Sequence, residues 1–196
     1  KINAFSMHPL KSLNVIGDGG MVVTDDENIY EWISKYRNHG MVDRDHIDFW
    51  GVNMRLQPLQ AVVADLGLNK LNKNIELRNK NAEILDEGLK PLKKFVSIPK
   101  RIFNNVETFS LYMATFTDRD KLKQYLIENK IEVKIHYPIP LHLQKASSQN
   151  CIFDPKKLKN IEYQANTLLT IPTHQFLKKS QMEYIVSKIC DFYKNY

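Results

Sequence analysis

Apolar positions recur along this chain with two different periods, and the change of period marks its elements. Ile2 to Met7 and Met21 to Thr24 are short runs suited to strands, separated by a loop that ends in Gly17-Asp18-Gly19-Gly20. Glycines supply the positive φ angles of close reversals, so this stretch predicts strand, loop and returning strand. Ile29, Trp32, Ile33 and Tyr36 then fall at helical spacing. Asp25 or Asp26 is placed to accept from the free amides of that helix, Glu27 sits in its first turn, and His39-Gly40 ends it. Residues 41–57 form a loop rich in charged and aromatic residues. Pro58 suits a first helical position, and Leu59, Val62, Val63 and Leu66 predict the buried stripe of the next helix. A longer, more polar helix follows from about Lys73 to Leu89, closed near Gly88 and Pro91.

The character changes after Pro91. Val96 to Ile98 and Phe109 to Phe116 read as strands, the second with few breakers and high β propensity. Asp118 is placed to cap a helix through Asn129, and Ile131 to Ile135 alternates as a further strand. Asp154-Pro155 opens another helix, Leu169 to Ile171 makes a short strand, and Ser180 caps the last helix. The expected architecture is α/β over 1–92, followed by a small α+β domain over 93–196.

Composition leaves this picture intact and removes several function classes. With 43% hydrophobic and 26% charged residues in 196, the chain is ordinary globular protein, long enough to bury a core. No run approaches the roughly 18 apolar residues of a spanning helix, and the opening residues do not read as a signal peptide. Cys151 and Cys190 are far apart and lack metal-ligand spacing, which points to reduced thiols and a cytoplasmic setting. The net charge of +6 comes from lysines scattered among acids and asparagines rather than from a basic arm. That is the pattern of a solvated surface, with nucleic acid a distant expectation. The six histidines form no persuasive metal-ligand set, so no metal is expected.

Candidate chemistry concentrates at Phe5-Ser6-Met7-His8-Pro9-Leu10-Lys11, upstream of the glycine-rich turn. A lone loop lysine is most often a solvated surface charge. Lys11, however, follows a strand end, neighbours a serine and a histidine, and precedes a glycine-rich reversal. Such a support can present an amine nucleophile to a carbonyl where the surroundings lower its pKa; by composition alone the signal is weak. His8 and His39 fit structural roles better, as ring hydrogen-bonders in loops.

The pattern Ser-x-His-Pro-x-Lys-x-Leu-x-x-x-Gly-Asp-Gly-Gly resembles the lysine segment of the DegT/DnrJ/EryC1/StrS aminotransferases, sugar aminotransferases that use pyridoxal phosphate (PLP) in the fold type I superfamily. Further matches follow in order. Tyr36-Arg37-Asn38-His39-Gly40 is similar to the family's Arg-x-His-Gly stretch, and Gly51 to Ala61 to its Gly-x-Asn-x-Arg-x-x-x-Leu-Gln-Ala motif. Ile135 to Gln144 resembles its His-Tyr-Pro segment, and Leu169 to His174 its Leu-Pro-x-His stretch.

The resemblance implies a partial fold type I large domain followed by the small C-terminal domain. It implies that Lys11 is the Schiff-base lysine and proton carrier. By the same resemblance Ser6 is expected to bind the cofactor phosphate, and Asn53 to reach that phosphate from the partner subunit of a homodimer. Arg55, His136, Tyr137 and His142 become candidate substrate-binding residues. The implied reaction moves an amino group, from glutamate as donor, to a keto group of a nucleotide-linked sugar in surface-polysaccharide synthesis. Family relatives that use the cofactor for dehydration replace this lysine by histidine, so Lys11 argues against that chemistry. The family's chains are about twice this length. The aspartate that pairs with the pyridine nitrogen and the aromatic that stacks on the ring belong to the half without counterpart here, so this chain alone is expected to bind PLP weakly. The alternative is a non-catalytic dimerisation or regulatory module, which has no physical need to keep Ser6, Lys11 and Asn53 together.

Overall fold

In the strand Tyr112–Phe116 every second side chain is buried: Tyr112, Ala114 and Phe116 face a core, while Met113 and Thr115 lie on the opposite face. That strand is the centre of the larger of two compact units into which the chain divides, Lys1–Asn74 and Ile75–Tyr196. The computed structural model describes residues 1–102, 104–150, 154–194 and 196; Cys151 lies outside them.

The first unit begins with β1 (Ile2–Ser6) and β2 (Gly20–Thr24), an antiparallel pair with Ile2 opposite Thr24 and Ser6 opposite Gly20. Helix α1 (Glu27–Tyr36) follows, capped by the Asp26 carboxylate, which accepts from the Ile29 amide at 3.2 Å. The two helices expected after Pro58 are one continuous helix, α2 (Pro58–Leu89). Nothing between Gly67 and Lys73 forces an end, and Gly67 serves packing: a Cβ there would stand 2.9 Å from Leu13 Cδ1. Of the stripe expected to be buried, only Val63 is half-buried and the other three positions are exposed. Leu59 is 75% exposed, with Val62 and Leu66 also largely open, and Ala64 is the buried position of this turn. The core of this unit is small, Met7, Val15 and Ala64 with Leu13 and Leu56 against them.

In the second unit, β3 (Val96–Ser97), β4 (Tyr112–Phe116) and β5 (Leu168–Ile171) form an antiparallel sheet in that order. Helices α3 (Arg119–Glu128) and α6 (Lys179–Tyr193) and the last turns of α2 bury Leu122, Leu126, Met182, Ile189, Leu85 and Leu89 in its core. Those α2 residues explain why the compact units divide at Asn74/Ile75, whereas composition changes only after Pro91. Two short helices, α4 (Lys145–Asn150) and α5 (Lys159–Thr167), precede β5.

Several local expectations shift. Ile131 to Ile135 keeps its alternation, with Ile131 and Val133 buried, but only Lys134 pairs with the sheet, through both backbone bonds to Thr170. Asp118 occupies the cap position of α3 with its carboxylate turned instead to Lys121 and Tyr196. Asp154 opens a single 3-10 turn, accepting from the Lys156 amide, and α5 starts later. Ser180 lies inside the first turn of α6; the cap residue is Lys178, whose amide donates to Gln181 Oε1 at 2.9 Å. The C-terminal carbonyls of α5 are satisfied by buried Arg119, which donates to the Ala165 and Leu168 oxygens.

Candidate active site

Ser6 is the last residue of β1, and from it the chain enters the loop that carries Lys11. The loop is fastened at both ends. The Met7 amide donates to Gly19 O at 2.8 Å, and the Val15 amide donates to Met7 O at 3.2 Å. Met7 and Val15 point inward as the two buried plugs of the unit. Gly19 is required between them, since a Cβ there would lie 2.6 Å from a Val15 methyl. Gln60, on α2, donates from its side chain to Asp18 O at 3.0 Å and holds the glycine turn.

Between the plugs, polar groups organise the exposed side. Ser6 Oγ accepts from the His8 amide at 3.3 Å, which leaves its hydroxyl proton free to donate outward. His8 Nδ1 accepts from the Leu10 amide, and its Nε2 lies 3.9 Å from Asp18. The Lys11 amide donates to His8 O at 2.8 Å and the Lys11 carbonyl accepts from Asn14, so its backbone is held on both sides while the side chain is exposed. His8 therefore shapes the loop, as expected from sequence.

Asn53 stands on a second support. The Val52 amide donates to Tyr36 O at 2.7 Å, the His39 amide to Val52 O at 3.0 Å, and the Met54 amide to Arg37 O at 2.8 Å. These bonds join the Arg-x-His-Gly and Gly-x-Asn-x-Arg segments into one ribbon, with Asn38 and Asn53 paired across it. The turn into it needs Gly40, at φ +73°, where a Cβ would collide with Phe49 O. Arg55 spans the ribbon: its Nε donates to Asn53 Oδ1 at 2.9 Å and its Nη1 to Asn38 Oδ1 at 3.3 Å. Asn38 is a contributor that sequence reading did not single out, although it sits inside a recognised motif.

The remaining candidates lie in the second unit. His136 is fixed by its Nδ1 against Thr170 Oγ1 at 2.8 Å, and the exposed Tyr137 ring meets it edge-on. Both border a cavity of about 580 Å³ whose walls include Met113, Pro138, Ile161 and Leu168, with Gln144 and Gln164 as further polar groups. His142 does not line it. Its side chain is only 8% exposed and pairs with Glu162 at 3.0 Å, which ties the turn after Pro140 to α5. Among the described residues no helix is long and apolar enough to cross a membrane, and no group of three His, Cys, Asp or Glu side chains is placed to hold a metal ion.

The first unit thus offers a hydroxyl, a carboxamide and a primary amine. This donor set fits a phosphorylated aldehyde: neutral donors for the phosphate, an amine for the carbonyl.

Residues 1–190 match the DegT/DnrJ/EryC1/StrS aminotransferase family. Over 98% of its length the chain is 31% identical to the pleiotropic regulatory protein of Geobacillus stearothermophilus, covering 52% of that protein. It is 29% identical to the UDP-2-acetamido-2-deoxy-3-oxo-D-glucuronate aminotransferase of Pseudomonas aeruginosa, over 94% of this chain and 50% of that one. Among solved structures, DesV of S. venezuelae in complex with a ketimine intermediate superposes with a TM-score of 0.92 at 28% identity, over 97% of this chain and 51% of DesV. The chain spans about half the length of the curated relatives it matches.

Proposed function

Because the chain belongs to the DegT/DnrJ/EryC1/StrS aminotransferase family, we propose that it supplies the lysine-bearing part of a PLP enzyme that places an amino group on a keto carbon of a nucleotide-linked sugar. Relatives named as aminotransferases of UDP- and dTDP-linked sugars support this reading. The observation that carries it within the chain is the Lys11 loop, with an exposed amine on a backbone fastened at Met7 and Val15 and a serine hydroxyl at the strand end beside it. PLP, when bound, supplies an aldehyde and an electron-accepting ring able to carry an amino group from donor to acceptor.

Each side chain then has one task. Ser6 Oγ donates to the phosphate, and Asn53 Nδ2 donates to the phosphate of the neighbouring subunit. Lys11 Nζ would be the amine that anchors the cofactor at its aldehyde carbon and, as a free amine, the base that would carry the proton at the substrate carbon. His136 and Tyr137 face the sugar. In this scheme the first unit belongs to the cofactor-binding large domain and the second is the small domain. The protein works as a cytoplasmic homodimer with glutamate as donor.

The test is made on the full-length protein, incubated with PLP, reduced with borohydride and digested. A visible absorption band and a pyridoxyl mass on the Lys11 peptide are expected, with both label and amino transfer lost in Lys11→Ala. A label on a different lysine sinks the assignment. One relative is named a pleiotropic regulatory protein, which favours a second reading of the chain as a regulatory module. A folded full-length protein that takes no label and transfers no amino group supports that reading instead.

A further inference from the structure

We infer that Arg55 is a positioning residue that acts through Asn53, turning the carboxamide so that its NH2 group faces outward as an anion donor. The inference rests on the phosphate role proposed above for Asn53.

An asparagine side chain carries an acceptor oxygen and a donor nitrogen on one planar group, and the two ends have similar size. A phosphate only accepts. An Asn53 with its oxygen outward would set acceptor against acceptor and repel the ligand it is meant to hold. Free rotation would leave both orientations populated. The guanidinium removes that freedom: Arg55 Nε occupies Asn53 Oδ1 at 2.9 Å, so the oxygen is engaged within the ribbon and the nitrogen is directed away from the arginine.

The same fork acts on Asn38. Asn38 and Asn53 are directly paired across the ribbon, so their side chains are neighbours. Arg55 Nη1 takes Asn38 Oδ1 at 3.3 Å. One planar cation thereby fixes two carboxamides by their oxygens, a geometry that a lysine point charge does not reproduce. The alternative role, direct contact between Arg55 and an anion, makes a different prediction about additivity.

The full-length holo protein decides between them through a double-mutant cycle on PLP affinity, with absorption titration of the wild type, Asn53→Ala, Arg55→Met and the double variant. Asn53→Ala is expected to weaken PLP roughly tenfold or more, as for loss of a hydrogen bond to a charged group. Arg55→Met is expected to weaken it several-fold in the wild-type background and not at all once Asn53 is gone. The 31P resonance of the bound cofactor should move in the same direction in both single variants, with Arg55→Lys giving only partial rescue. Equal losses in both backgrounds overturn the positioning role, because Arg55 then acts on its own. Wild-type affinity in Arg55→Met overturns it as well. If Asn53→Ala binds PLP normally, the phosphate role of Asn53 fails first, and the inference falls with it.

Discussion

Asp86 is the polar hub of the second unit. Its carboxylate accepts from Arg101 Nε and Nη2, both at 2.9 Å, and from the Tyr112 hydroxyl at 2.6 Å. Arg101 in turn reaches Glu107 and lies over the rings of Phe109 and Tyr112. Burial first, and then the hydrogen bond to Asp86, hold the Tyr112 phenol above its ordinary value, so it donates throughout the physiological range. Asp86→Asn keeps the shape and removes the charge and one acceptor. It is expected to cost about 2–3 kcal/mol, read as a lower urea midpoint with unchanged slope. A loss below about 0.5 kcal/mol would mean that solvent screens this group as it screens surface pairs. The sequence exposed none of this network, because its members are separated by up to 26 residues and join only through the fold. Ser6, Lys11 and Asn53, by contrast, were legible as residues because each sits in a local motif.

At the scale of elements, α2 meets α6 through Gly88. A Cβ at Gly88 would lie 2.4 and 2.8 Å from the two methyl carbons of Val186, a close approach that only glycine permits. Gly88→Ala is therefore expected to destabilise by about 1–3 kcal/mol through overpacking. Adding Val186→Ala should recover part of that loss, whereas a helix-propensity effect would make Gly88→Ala stabilising. Thermal unfolding of the three variants separates the cases. Sequence reading took Gly88 for the end of a helix, and the helix does end next to it, but the glycine is there for packing. It also divided α2 in two and buried the wrong stripe. Periodicity reports which face is apolar and is silent on whether anything covers that face.

At the scale of the whole molecule, the two units differ in how much they bury. The second unit has a core running from Ala82 to Tyr193, while the first buries little beyond Met7, Val15 and Ala64. On the first unit Phe5, Trp32, Leu59 and Leu66 remain more than half exposed. Scattered apolar side chains are normal on any surface, but this many large ones on a unit of small core suit a surface that is covered in the working protein. Together with the proposed reach of Asn53 across subunits, this leads to an expected solution mass of two chains for the full-length protein. Light scattering that returned one chain at micromolar concentration would remove the homodimer, and with it the cross-subunit role.

By itself the sequence determined the motifs that carry the candidate residues, the family they resemble and the order of most helices and strands. These are local matters of motif, capping and period. Only the tertiary structure decided that Tyr36 to Gly40 and Gly51 to Arg55 make one ribbon, that Arg55 spends its fork on two asparagines, and that His142 turns to Glu162 rather than to the cavity. Each of these depends on which distant segment supplies the missing hydrogen-bond partner or the missing apolar cover. A linear pattern fixes what a residue needs, and the packed chain selects which neighbour supplies it.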